Sequence, residues 1–547
     1  MRRSPKVVEK VPSDLDTALA TMSAEALREV VHEVLLELND RAHARVVASL
    51  IARAVRTGVG WAPAPVTDEQ VTEVLAFVKA AERIGQADPS EVDEYLRRGS
   101  AAFLRKDYGS AQRIFGALLP PIGEGNIDLG QHELVDEVLG ADVAECAAQY
   151  VVSSYMLAPV AERAEAVRAA IDEVHGVGHF WEPLRELERV AVEPLPDLAA
   201  FLSRWRALIE NKPAGKRTSD WDTEEDRWLR EVVQRLEGAE GLANVARTTK
   251  RADDLRAWCR SLVEAKDWPA ALKAFGEAAE LVTDKDYARG EFLDGAALAA
   301  QSLERKDLAS HFERAWRASP SMSRLRRWLG SASTKAALGK RVGEALEACP
   351  KQASRQRALL HVLSHDFAAA AKLLASAPGL GWSNGEHPGH LVFQQRGRAE
   401  SAETRASPLF AQLLGASRTA ARRDLEPILH RGADLDEIEA MTADPEEPRL
   451  TTPEVEALLG LAGVAGISEA TSRRAALAAM KKAAESRVAG VTEQKRRRHY
   501  GHAAELVATC VACDKTDETK RWAAALRAEY KRFPALRDEL ERALRAA

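Results

Sequence analysis

Lys266-Asp267-Trp268-Pro269-Ala270-Ala271-Leu272-Lys273-Ala274-Phe275-Gly276-Glu277-Ala278 is the stretch on which the fold turns. A charged residue followed by Asp ends one helix, and a large residue plugs the corner. Three positions later a small Ala271 lets the second helix approach the first. Four further on, Phe275 fills the groove between them. The same order recurs at Lys106-Asp107-Tyr108 with Ala111 and Phe115, preceded by Tyr95 and Gly99. It recurs again at His365-Asp366-Phe367 with Ala370, Leu374 and Ala377, and more poorly at Lys306-Asp307-Leu308 with Ala315 and Ala318.

The residues around these copies are helix formers. Ala, Leu, Glu and Arg dominate, aromatics are 5% of the chain, and few runs alternate as strands would. Ser23 offers an N-cap. After it, Leu27, Val30, Val31, Val34, Leu35 and Leu38 lay an apolar stripe along one helix. Asn39-Asp40 interrupts, and a second amphipathic helix is expected from about residue 42 to 56, packed antiparallel on the first. Asp222 and Glu225 have the spacing of a capping box at the start of another helix.

This recurring spacing resembles the second half of a tetratricopeptide repeat, a helix-pair repeat of about 34 residues. The resemblance implies stacked helical hairpins whose inner surface binds peptides or proteins. It covers about four hairpins, without a strict tandem period. The expected fold is therefore all-α, an irregular α-solenoid of antiparallel helical hairpins with two or more sub-domains.

A chain of 547 residues is too long for one core. The expected organisation is a flexible basic tail (1–12), an acidic N-terminal helical domain (13–210) and a linker (211–220, NKPAGKRTSD). A helical-repeat domain (221–377), a long loop (378–408) and a C-terminal helical domain (409–547) follow. Charge divides along the chain. Residues 1–210 carry 22 basic and 34 acidic side chains, and 211–547 carry 55 and 49, so only the second part suits an anionic partner. Met1 to Pro12 has charges but no apolar core, and no stretch approaches a bilayer span. A cytoplasmic protein without membrane contact is expected, and five scattered cysteines fit a reducing compartment.

The motifs that suggest chemistry are incomplete. His132-Glu133 with Asp136 echoes a helical zinc-protease motif, but Asp136 stands where a second His is required and no third ligand is evident, so a surface acidic helix is expected. His361 and His365-Asp366 echo a metal phosphohydrolase, yet His365-Asp366-Phe367 occupies the repeat's turn. Cys510 and Cys513, with His499 and His502 upstream, have zinc-ligand character. On one straight helix, however, His502 and Cys510 would stand about 12 Å apart, which favours small core residues. The glycines of His175 to His179 and Gly379 to Gly381 read as turns, not phosphate loops. Trp221 and Trp228 read as one packed helical side.

No catalytic site and no cofactor or metal is expected. The expected function is a non-enzymatic scaffold for protein partners, contacting them through Trp382, His387, His390, Arg396 and Arg398 of the long loop. The alternative is nucleic-acid binding through the basic part. The best cluster for it is Lys495, Arg496, Arg497 and Arg498 with Tyr500. Further basic patches lie at Arg324 to Arg327, Arg396 to Arg405 and Arg422-Arg423.

Overall fold

The computed structural model describes residues 13–57, 60–132, 134–211, 222–282, 286–380, 394–396, 405–407, 448–545 and 547. They are helical almost throughout, as the composition requires. The sheet among them is a two-stranded antiparallel ribbon, Gln394–Arg396 with Arg405–Ser407, inside the stretch expected as loop. The chain forms two compact units, residues 1–244 and 245–547. The division falls within the helical stretch Glu224–Thr249, which is itself broken at Gly238 (φ 62°).

The first unit is built round one helix. Val143–Leu157 buries Val143 and every residue from Cys146 to Tyr155, the polar Gln149, Ser153 and Ser154 included, so it is enclosed on all sides rather than on one stripe. Pro89–Leu104, Tyr108–Gly123, Arg163–Glu173 and Pro183–Val190 all pack against it. Where backbones come closest, only glycine fits. A Cβ on Gly176 would stand 2.3 Å from the Gly123 carbonyl oxygen, which explains the glycine-rich turn between His175 and His179. The Leu198–Asn211 helix brings Trp205 against Trp228, rings stacked 5.6 Å apart, and the Trp228 indole donates to the Phe180 carbonyl at 2.6 Å. The capping box that starts the helix after the expected linker is Thr223–Asp226, not Asp222–Glu225. Thr223 N–H donates to Asp226 at 3.1 Å and Asp226 N–H to the Thr223 hydroxyl at 3.2 Å. Asp222 is drawn away by Arg227 and Arg230.

In the second unit each helix packs on the next, from Ala252–Glu264 through Trp268–Leu281, Asp286–Ser302, Leu308–Ala318, Met322–Gly330, Lys335–Ala348 and Ser354–Leu363 to Phe367–Ala375. The run resumes with Ala470–Glu493, which packs on Phe367–Ala375. Tyr500–Cys513, Asp517–Glu529 and Pro534–Arg545 close it. Between these two parts the chain doubles back. Val455–Ala462 lies against Met322–Gly330, Lys335–Ala348 and Ser354–Leu363. Gln301 pins the returning strand by donating to the Arg449 carbonyl (2.8 Å) and accepting from Thr451 N–H (3.1 Å). Arg326 donates to the Pro453 carbonyl and Arg327 to the Thr452 hydroxyl, both at 2.8 Å, while Arg324 pairs with Asp294 at 2.7 Å. The Arg324–Arg327 patch is thus buried, and its cations hold the fold rather than facing solvent.

Candidate functional site

The recurring turn has one backbone geometry. Lys106, Lys266 and His365 each take a left-handed φ of 65°, 55° and 62°. The Asp that follows sits at φ −82°, −81° and −88° with ψ near 70°. Its N–H closes on a carbonyl five residues back (Ala102, Leu262, His361; 2.8–3.0 Å), which satisfies the end of the incoming helix. Its carboxylate then accepts from the N–H three residues on (Ser110, Ala270, Ala369; 3.1 Å each), which caps the outgoing helix. Ala111, Ala271 and Ala370 are fully buried. Nine residues before the plug, Gly99, Cys259 and Ala358 supply a second small buried position. The Lys306-Asp307 copy differs. Its left-handed residue is Glu304, and Asp307 makes no capping bond.

The basic cluster KRRRHY stands in this same turn. Lys495 has φ 52°, Arg496 φ −83° and ψ 66°, and Arg496 N–H donates to the Val491 carbonyl at 2.8 Å. With Arg in place of Asp the cap is lost, and one turn of 3-10 helix (Arg497–His499) precedes Tyr500–Cys513. Lys495, Arg496, Arg497 and Arg498 are exposed, and Arg498 lies 3.1 Å from the His499 ring. Tyr500 is buried, so it packs the core and cannot stack on a base. Of the expected partner-binding residues, Trp382, His387, His390 and Arg398 lie outside the described residues. Arg396 ends one ribbon strand, paired with Arg405. Trp221 and the Arg422-Arg423 patch also lie outside them.

His132 is exposed, Glu133 lies outside the described residues, and the chain there is extended at Leu134 with a single 3-10 turn at Val135–Glu137. The segment is therefore not the surface acidic helix that was expected. Asp366 takes up its turn position, 3.5 Å from His361, and the His365 ring meets the Ala462 carbonyl at 3.2 Å. Cys510 and Cys513 are buried on the helix that also carries His502. Burial pushes the Cys510 thiol far above its usual range and the Cys513 thiol up to about 12. Burial also drives the His502 imidazole down to about 3, with the Arg487 charge adding to it. Among the described residues no three His, Cys, Asp or Glu side chains stand where they could share a metal ion. No described helix is long and apolar enough to cross a membrane.

Two surface features escaped the sequence reading. A cavity of about 590 Å³ lies beside the end of helix Asp68–Ile84, walled by Phe77 and Ile84 and rimmed by Glu91 and Asp128. The second feature is the exposure of the first helical hairpin. Helix Ala24–Glu37 has no buried residue, and Asp40–Arg56 buries only Ala52. Within the apolar stripe Leu27, Leu35 and Leu38 are half-buried, while Val30, Val31 and Val34 lie open (Val31 39% and Val34 52% exposed), and Leu36 beside it is 84% exposed. Leu15, Leu19, Val46 and Leu50 extend the same apolar character. No family model matches the chain, and no curated protein matches it as a relative.

Proposed function

We propose that this chain is a non-enzymatic scaffold for protein partners, built on hairpins of tetratricopeptide-like character. The observation that carries the reading is the shared turn at Asp107, Asp267 and Asp366, which sets three separate helix pairs at one corner geometry. Helix pairs of that kind present grooves between hairpins, and such grooves accept extended or helical segments of other proteins. Trp382, His387, His390, Arg396 and Arg398 are the side chains proposed to add specificity. A mild-salt pull-down with the full chain, with and without nuclease, tests this. A defined protein retained after nuclease, and weakened at least tenfold by Trp382→Ala with Arg396→Ala and Arg398→Ala, is the expected result. Loss of every partner after nuclease would overturn it.

One observation favours a second reading, nucleic-acid binding. Lys495, Arg496, Arg497 and Arg498 are exposed together at the head of a helix. Retention on single-stranded nucleic acid that falls steeply with salt, and falls again when Arg496, Arg497 and Arg498 become Ala, is what this reading requires. Weak, salt-insensitive retention would remove it.

A further inference from the structure

The first hairpin separates its charge by helix. Ala24–Glu37 carries Glu25, Glu29, Glu33 and Glu37 against one Arg28. Asp40–Arg56 carries Arg41, Arg45, Arg53 and Arg56 against one Asp40. The four glutamates form no ion pair among the described residues, so the basic helix of the same hairpin leaves them unused. On the body side Arg45 donates to the Asp136 carbonyl and Arg56 to the Arg189 carbonyl, which fixes Asp40–Arg56 to the first unit. Ala24–Glu37 stands outside it, with Val30, Val31 and Val34 open to solvent.

We infer that this hairpin is the contact surface of a homodimer, with the acidic helix of one copy against the basic helix of a second. A two-fold axis places the same patch on both sides, so the patch must complement itself. Four glutamates on one helix, and on the next the exposed Arg41 and Arg53 that make no bond to the body among the described residues, meet that condition. A foreign protein would need the reversed pattern on its own surface. The valines and leucines between the charged rows form the dry centre, and the charges form the rim that sets register.

Light scattering on the full chain at tens of micromolar tests the inference. The expected mass is twice the 59.7 kDa of one chain. Val31→Glu with Val34→Glu should give the single-chain mass with unchanged helical circular dichroism, because both side chains are exposed in one copy. Should that variant misfold, charge reversal decides. Glu29→Arg with Glu33→Arg should weaken the dimer at least tenfold, and adding Arg41→Glu with Arg53→Glu should restore it. Deleting residues 1–12 should leave the dimer intact. A single-chain mass for the unaltered protein would overturn the inference. So would a dimer indifferent to both the valine and the charge variants, or one lost when residues 1–12 are removed.

Discussion

Asp267 serves two helices at once. Its N–H ends the incoming one on the Leu262 carbonyl, and its carboxylate starts the outgoing one at Ala270. Asp267→Ala should therefore cost about 1 kcal/mol in urea unfolding of the full chain. Asp307→Ala, at the copy without a capping bond, should change little, since its pairing with Arg305 is exposed. Glycines divide by what surrounds them. A Cβ on Gly295 would stand 2.2 Å from the Phe275 ring, so Gly295→Ala should destabilise by roughly 1–3 kcal/mol through overpacking. Gly339, inside helix Lys335–Ala348, meets nothing within 4 Å, and Gly339→Ala should stabilise by about 1 kcal/mol in the same assay. The Asp and Ala positions of the turn were legible in sequence, because each does its work with neighbours a few residues away. Gly295 was not, because the Phe275 ring that excludes a Cβ lies on the preceding helix.

Elements follow local signals until another part of the chain intervenes. The Ser23 cap and the helix Asp40–Arg56 stand where their sequences place them. The helix Val455–Ala462 belongs to no such pattern. It is held across the face of Met322–Gly330 by contacts that span more than a hundred residues. Gly330 has to be glycine there, since a Cβ would stand 2.3 Å from the Pro453 ring. Arg326→Ala removes the donor from the Pro453 carbonyl. Amide exchange across Val455–Ala462 should then speed up, while Ala252–Glu264 exchanges as before. Equal exchange across Val455–Ala462 in the unaltered chain and in Arg326→Ala would show that Arg326 does not hold the segment. The basic run at Arg324 looked like a surface patch because charge alone does not reveal its partner. Asp294 and the carbonyls of Ser319 and Pro453 become its partners only after folding.

Among the described residues, the half-buried Glu231 and the buried His502 respond oppositely to pH. In the first unit Glu231 accepts from Leu184 and Arg185 N–H, yet burial outweighs those bonds and raises its carboxyl to about 7. Its contribution to stability is full below its ordinary value near 4.5 and is lost as pH rises through about 7. In the second unit His502, lowered from 6.5 to about 3, contributes fully above 6.5 and loses that contribution as pH falls toward 3. Calorimetry from pH 5 to 8 should show the first unit weakening as pH rises and the second weakening as pH falls. Glu231→Gln should flatten the first trend and His502→Asn the second. Trends that survive both substitutions would assign the pH dependence to other groups. Helical class, the repeated corner and the acidic-to-basic shift along the chain follow from sequence alone, because propensity, capping and charge count are local or additive. The tertiary structure decided the central place of Val143–Leu157, the doubling back of Val455–Ala462, the burial of the Arg324–Arg327 cations and the exposure of the Val30–Val34 stripe. An amphipathic stripe states that a helix needs an apolar neighbour. Whether that neighbour is present within the same chain depends on contacts between residues far apart in sequence, which no local pattern encodes.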